Sequence, residues 1–206
     1  MMKTIKTIMV MAAGLFLLVS SALPAAAADA KYYFELGNSQ YNEEKYDDAV
    51  KSYSQALSEY PDFIDAYHNR GLAYYHEEKY GEAIADFSRV ISKGTEDAQI
   101  YHMRALAYLK TGQDEYAIGD CSKVIALNPN FADAYHNRGI AYAHTGKYDE
   151  AIRDYDKAIE MKPKDGNIYV SRGVAYVKKA TEDFSRACDM GNRNACDDLK
   201  ELSKQP

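Results

Sequence analysis

Five histidines are the side chains best suited to chemistry at neutral pH, since imidazole can exchange a proton there and can bind metal. Their spacing is regular. His68, His102 and His136 follow one another at intervals of 34 residues, and His76 and His144 each stand eight residues beyond a member of that series. Zinc needs every imidazole nitrogen within about 2 Å. Equivalent positions of neighbouring stacked helices are about 8–10 Å apart, and eight residues along one helix is about 12 Å. Neither spacing lets two histidines share a metal. No Ser or Cys sits in a nucleophile elbow, and no phosphate-cradling loop or paired zinc motif appears. The expectation is a chain with no catalytic residue, no metal and no cofactor, which is not an enzyme.

The elements that carry these histidines repeat with them. Tyr67-His68-Asn69-Arg70-Gly71, Tyr101-His102-Met103-Arg104-Ala105 and Tyr135-His136-Asn137-Arg138-Gly139 are in register at 34 residues. Tyr33 to Gly37 precedes them on schedule, and Tyr169, Arg172 and Gly173 follow. Ala49, Ala83, Ala117 and Ala151 share a later slot, as do Tyr53, Phe87, Cys121 and Tyr155. Within a unit, Tyr67, Gly71 and Tyr74 fall at i, i+4 and i+7, and Ala83, Phe87 and Val90 do the same, which is helical spacing. Turn residues separate the two runs, with Gly112 and Gly146 in two of the units. Pro61, Pro129 and Pro163 close three units, and proline stops a helix. Each unit is therefore two short antiparallel helices. Small residues such as Gly71 and Ala83 let them approach, and Tyr or Phe fills the gap. One hairpin cannot bury its apolar face alone, so the units must stack. The 19 tyrosines, with no tryptophan, fit one aromatic slot filled repeatedly.

Arginine and aspartate travel together through the repeats. Arg70, Arg104 and Arg138 occupy one slot of the first helix, and Asp86, Asp120 and Asp154 one slot of the second. The first unit has Leu36 and Ser52 there instead. A partly buried guanidinium needs a partner, because an unpaired desolvated charge is costly. These residues are expected to form ion pairs, between the helices of one repeat or between neighbouring repeats. The alternative is a set of surface charges copied by duplication. Asp149 has no such counterpart and serves as an unpaired acid for comparison.

The first residues read as an export signal. Lys3 and Lys6 precede an apolar run from Ile8 to Val19, and small residues end in Ala25-Ala26-Ala27-Ala28. A basic start, a short apolar centre and a small-residue end are the parts of a cleavable signal peptide. The run is short of the roughly 20 residues that span a bilayer. The expectation is cleavage after Ala28, a periplasmic or secreted protein, and no stable membrane insertion afterwards. Losing Lys3 and Lys6 and no acid moves the formal net charge from −6 to −8. So acidic a chain repels a phosphate backbone, so nucleic acid is not an expected partner.

The period, the Tyr–Gly–Tyr first helix, the Ala–Phe–Ala second helix and the closing Pro resemble the tetratricopeptide repeat. The repeats are read as 30–63, 64–97, 98–131 and 132–165, with a truncated fifth at 166–191 and a capping helix at 192–203. Thr95 stands where other units have Pro, and Asp114 where they have Tyr46, Tyr80 or Tyr148. The resemblance implies an all-α, right-handed superhelical solenoid of stacked antiparallel helix pairs. It also implies a concave groove, lined by the first helices, that receives a peptide or helix of another protein. His68, Asn69, Tyr75, His76, His102, Met103, Leu106, Lys110, His136, Asn137, Ile140 and His144 fall on that groove. In the family an Asn in the slot of Asn69 and Asn137 often bonds a peptide backbone, and Met103 makes one sub-site apolar. Histidines titrating near the usual value of about 6.5 would make binding pH-dependent. The function expected is an interaction scaffold of the bacterial envelope. The alternative is a helical-repeat enzyme acting on cell-wall material.

In the fifth unit, the residues corresponding to Gly146–Glu150 are missing. One long helix from about Asn167 to Asp189 is expected, and it would hold Arg172 and Asp183 too far apart to pair. A tight hairpin with Thr181 as N-cap is the alternative. Cys121 takes the aromatic slot and should be a buried free thiol. The segment from Ala187 to Cys196 resembles the cysteine-rich, Sel-like relatives of this fold, in which two such Cys join a helix hairpin. That resemblance implies a Cys188–Cys196 disulfide clamping a cap that closes the open end of the solenoid.

Overall fold

The computed structural model describes residues 25–202, so residues 1–24 of the expected leader and residue 203 of the expected cap lie outside the described residues. The helices are α1 (Ala25–Asn42), α2 (Tyr46–Glu59), α3 (Ile64–His76), α4 (Tyr80–Ile91), α5 (Ala98–Lys110), α6 (Asp114–Leu127), α7 (Ala132–His144), α8 (Tyr148–Met161), α9 (Gly166–Asp189) and α10 (Arg193–Leu202), with no strand among the described residues. Each helix packs on the next in sequence. Odd-numbered helices also touch the next odd-numbered helix, whereas even-numbered ones do not touch one another. The odd helices therefore form the tighter, inner layer of a curved stack. The turn from first to second helix puts one residue at positive φ in each full repeat: Glu44, Glu78, Gly112 and Gly146.

What brings the two helices of a repeat together is a fit between a missing side chain and a ring. A Cβ on Gly37, Gly71 or Gly139 would lie 2.6, 2.9 or 2.6 Å from the ring of Tyr53, Phe87 or Tyr155. Glycine thus faces the aromatic slot rather than Ala83 and its equivalents. The third repeat changes both members: Ala105 replaces the glycine and Cys121 the ring, and both are wholly buried. Burial pushes the Cys121 thiol up to about 12, so it stays protonated as a small core group.

The charged pairs are internal. Asp86, Asp120 and Asp154 are buried, at 5, 6 and 7% exposure, which rules out copied surface charge. Each accepts two bonds from its arginine: Nε and one terminal nitrogen of Arg70, Arg104 and Arg138 reach the two carboxylate oxygens at 2.7–2.9 Å. The remaining terminal nitrogen donates to Ser54, Ser88 or Ser122 in the preceding repeat at 2.9–3.0 Å. Tyr67 and Tyr74 flank the Arg70 guanidinium at 5.4 and 5.6 Å, and the same two tyrosine slots flank Arg104 and Arg138. One side chain therefore ties three helices together: its own, its pair partner and the last helix of the repeat before.

The fifth unit is one unbroken helix of 24 residues, and Thr181 donates to the carbonyl of Val177 within it. Arg172, deprived of an acid across a hairpin, bonds Asp156 of α8. Asp156 occupies the slot of Ser54, Ser88 and Ser122, so the acid has moved to the preceding repeat. Asp149 is not unpaired, because Lys179 of α9 binds it. Thr95 replaces the missing proline by accepting from the amide of Asp97 at 3.1 Å.

Cys188 and Cys196 are joined, with Cα atoms 4.8 Å apart, and pin α10 to the second half of α9. The expected closure of the solenoid end is incomplete. Tyr169, Val170, Val174, Tyr176 and Val177 on the first half of α9 remain 42–66% exposed.

Removing Asp154 strands a mostly buried guanidinium, so Asp154→Ala is expected to cost about 3 kcal/mol of unfolding free energy. An exposed acid such as Glu115 should cost less than about 0.5 kcal/mol; chemical denaturation of both variants makes the comparison. Cys121→Tyr alone should destabilise by about 1–3 kcal/mol through overpacking against Ala105. Adding Ala105→Gly should restore most of that loss, which a double-mutant cycle reads directly.

Candidate binding groove

The inner layer places the expected groove residues in two chemically distinct halves. At the α1–α3 end, Asn38, Tyr41, Asn42, Tyr53, Asn69 and Leu72 line a cleft of about 290 Å³. Asn38 Oδ1 accepts from both Asn69 Nδ2 and the Tyr53 hydroxyl at 2.8 Å. His76 lies flat on Tyr46, with ring centroids 4.6 Å apart, and Tyr75 meets Tyr80 edge-on at 5.3 Å. This end is rich in amides and phenols.

Further along, Leu106, Leu109, Lys110, Asn137, Ile140 and His144 line a cleft of about 300 Å³ between α5 and α7. The next, of about 250 Å³, is walled by Ile140, Ala143, Val170 and Val174, with His144, Tyr155 and Ser171. Here the lining is aliphatic. His144 Nδ1 bonds Asp114 Oδ1 at 2.8 Å at the edge. The odd residue Asp114 thus replaces a tyrosine in order to face a histidine.

The histidine series lies deeper than a freely exposed groove residue would. His102 packs on Phe131, centroids 4.8 Å apart, and its Nε2 meets Asn137 Nδ2 at 3.0 Å. His136 Nε2 meets Ser171 Oγ at 3.0 Å. Residues of consecutive inner helices are therefore bonded in a chain, and the amides expected to await a peptide are engaged within the protein. Met103 cannot continue that chain from His68. Met103 packs instead against the buried cluster of Ala83, Phe87, Val90 and Ile100, and His68 borders a separate cleft of about 460 Å³ beside Gly94, Thr95 and Asp97.

Burial holds the imidazoles of His68, His102 and His136 below the usual histidine pKa. The expectation of five groove histidines all titrating at the ordinary value is corrected for these three. No group of three or more metal-binding side chains lies together among the described residues. Nor is any helix among them long and apolar enough to cross a membrane.

A histidine whose folded pKa is depressed binds its proton more readily when unfolded. The stability that its neutral form contributes is complete above the unfolded value of about 6.5 and is lost as pH falls below it toward the folded value. Melting temperature should therefore decline from pH 7.5 to pH 5. Since an Asn Nδ2 only donates, His102 Nε2 must accept; His102→Gln, which keeps an acceptor but cannot be protonated, should flatten part of that decline.

Profiles of the family described as tetratricopeptide repeat match residues 34–99, 98–131 and 132–165, a continuous stretch that is more than half of the chain. No curated protein sequence matches. Among solved structures, the crystal structure of MamA protein is 26% identical over 84% of this chain and 90% of its own, with a TM-score of 0.71. YrrB, described as a TPR protein with an unusual peptide-binding site, is 24% identical over 84% of this chain and 92% of its own, with a TM-score of 0.67, a likeness of fold. The second TPR domain of human RPAP3, solved in complex with an HSP70 peptide, is 29% identical over 53% of this chain and 92% of its own, with a TM-score of 0.52. The repeat period, the glycine–aromatic fit and these profiles agree, and the chain belongs to the tetratricopeptide-repeat family.

Proposed function

We propose that the protein is a scaffold that binds a peptide or helical segment of another protein along its inner layer. The observation that carries this reading is the division of that layer into an amide- and phenol-lined end at α1–α3 and an aliphatic end at α5–α9. A partner segment would be polar over the first half and would present two or three apolar side chains to Leu106, Leu109, Ile140 and Val174 over the second. Lys110 at the edge of the aliphatic end favours an acidic residue flanking those apolar positions. The RPAP3 domain, which is complexed with an HSP70 peptide, supports this mode. Export is part of the same reading: the leader-like segment and the Cys188–Cys196 bond suit an oxidising compartment such as the bacterial envelope.

Leu106 and Leu109 stand outside the buried core clusters, so Leu106→Asp with Leu109→Asp should leave the helical content intact. Panning a randomised peptide library against the protein should enrich sequences with apolar residues grouped at one end. Those peptides should bind the double variant at least about tenfold more weakly, the scale of losing a buried anchor. Enrichment without an apolar group, or equal binding to the variant, contradicts the reading.

A further inference from the structure

The half of α9 that α10 leaves uncovered presents a further exposed face, centred on Gly173 and bordering Val170 and Val174 of the groove. In each full repeat the slot of Gly173 is filled from a second helix: a ring in the first, second and fourth, Cys121 in the third. Around Gly173 nothing lies within 4 Å of where a Cβ would stand. The missing turn explains this, because α9 runs straight on and α10 covers only its later half. Tyr169 and Tyr176 flank the gap, 42 and 51% exposed. A shape that elsewhere accepts an aromatic ring is therefore left open, with two tyrosines beside it.

We propose that a second copy of this chain fills it, through antiparallel pairing of the two α9 helices about a two-fold axis near Gly173. The face is self-complementary under that operation, as an isologous interface requires. Tyr169 and Tyr176 stand on opposite sides of Gly173, four residues before and three after. Reversal sets Tyr169 of each copy against Tyr176 of the other, and each glycine space receives a partner ring. The flanking charges agree. Lys164 lies just before α9 and Asp183 in its later half, and both are exposed. Antiparallel pairing brings Lys164 of one copy toward Asp183 of the other, which lies beside Tyr176 on the helix face, twice by symmetry. A parallel arrangement would set like charges side by side. The absence of Cβ at Gly173 lets the backbones approach closely, with aromatic pairs contributing beyond their buried area.

Sedimentation velocity of the full chain across the micromolar range tests this. Wild type is expected to show a concentration-dependent dimer. Tyr169→Asp with Tyr176→Asp should weaken it at least about tenfold while circular dichroism is unchanged. Lys164→Glu alone should weaken it, and adding Asp183→Lys should restore it. Gly173→Cys should give a covalent dimer under oxidation. A chain that stays monomeric throughout, or a dimer indifferent to the tyrosine changes, overturns the proposal; the second outcome would place association elsewhere, for instance in the apolar residues 8–19. Peptide binding by the groove variants is read independently, so failure here leaves the groove reading intact.

Discussion

The structure depends on where three guanidinium groups find their acceptors. Burying a charge between helices is unfavourable unless its donors are matched. Each arginine meets that demand with a forked carboxylate on one side, a hydroxyl on the other and tyrosine faces above and below. Because the carboxylate belongs to the same repeat and the hydroxyl to the preceding one, a single side chain sets both the hairpin angle and the stacking of successive hairpins. The tyrosine richness has the same origin. Arg70, Arg104 and Arg138 each lie between two tyrosines of their own helix, which supplies apolar cover without removing the charge.

The repeat was legible from spacing alone, since 34-residue register fixes which side chains share a slot. Arg70 and Asp86 could be paired on paper because they appear and vanish together. The serine column has the same 34-residue spacing, but an uncharged side chain gives no sign in the sequence that it has a partner. Its meaning emerges at Asp156, where the column turns acidic just ahead of the unit whose arginine has lost its own acid. Asp114 follows the same logic: it breaks the tyrosine slot in order to face His144.

The groove was less legible, for a physical reason. A slot on an inner helix fixes which way a side chain leaves the backbone, but not whether a neighbour will claim its polar atoms. His102, Asn137, His136 and Ser171 lie on that face and yet bond one another along the stack. What forms no such bonds is the set of leucines and valines of the later repeats, whereas in the cleft of the first two repeats Asn38 already accepts from Asn69 and Tyr53. The contrast between the ends comes from differences among repeats, which a consensus reading averages away.

The direction of the arginine contacts limits how such an array can change length. Repeats two and three each bring an arginine, its aspartate and the serine that the next arginine needs. A gain or loss of either whole unit joins equivalent slots and leaves every one of these arginines matched. The last joint is different. Arg172 relies on Asp156, which the second helix of repeat four alone provides. Repeat four and α9 are therefore bound to be inherited as one block, and recombination that altered the length of this protein would have to act ahead of them.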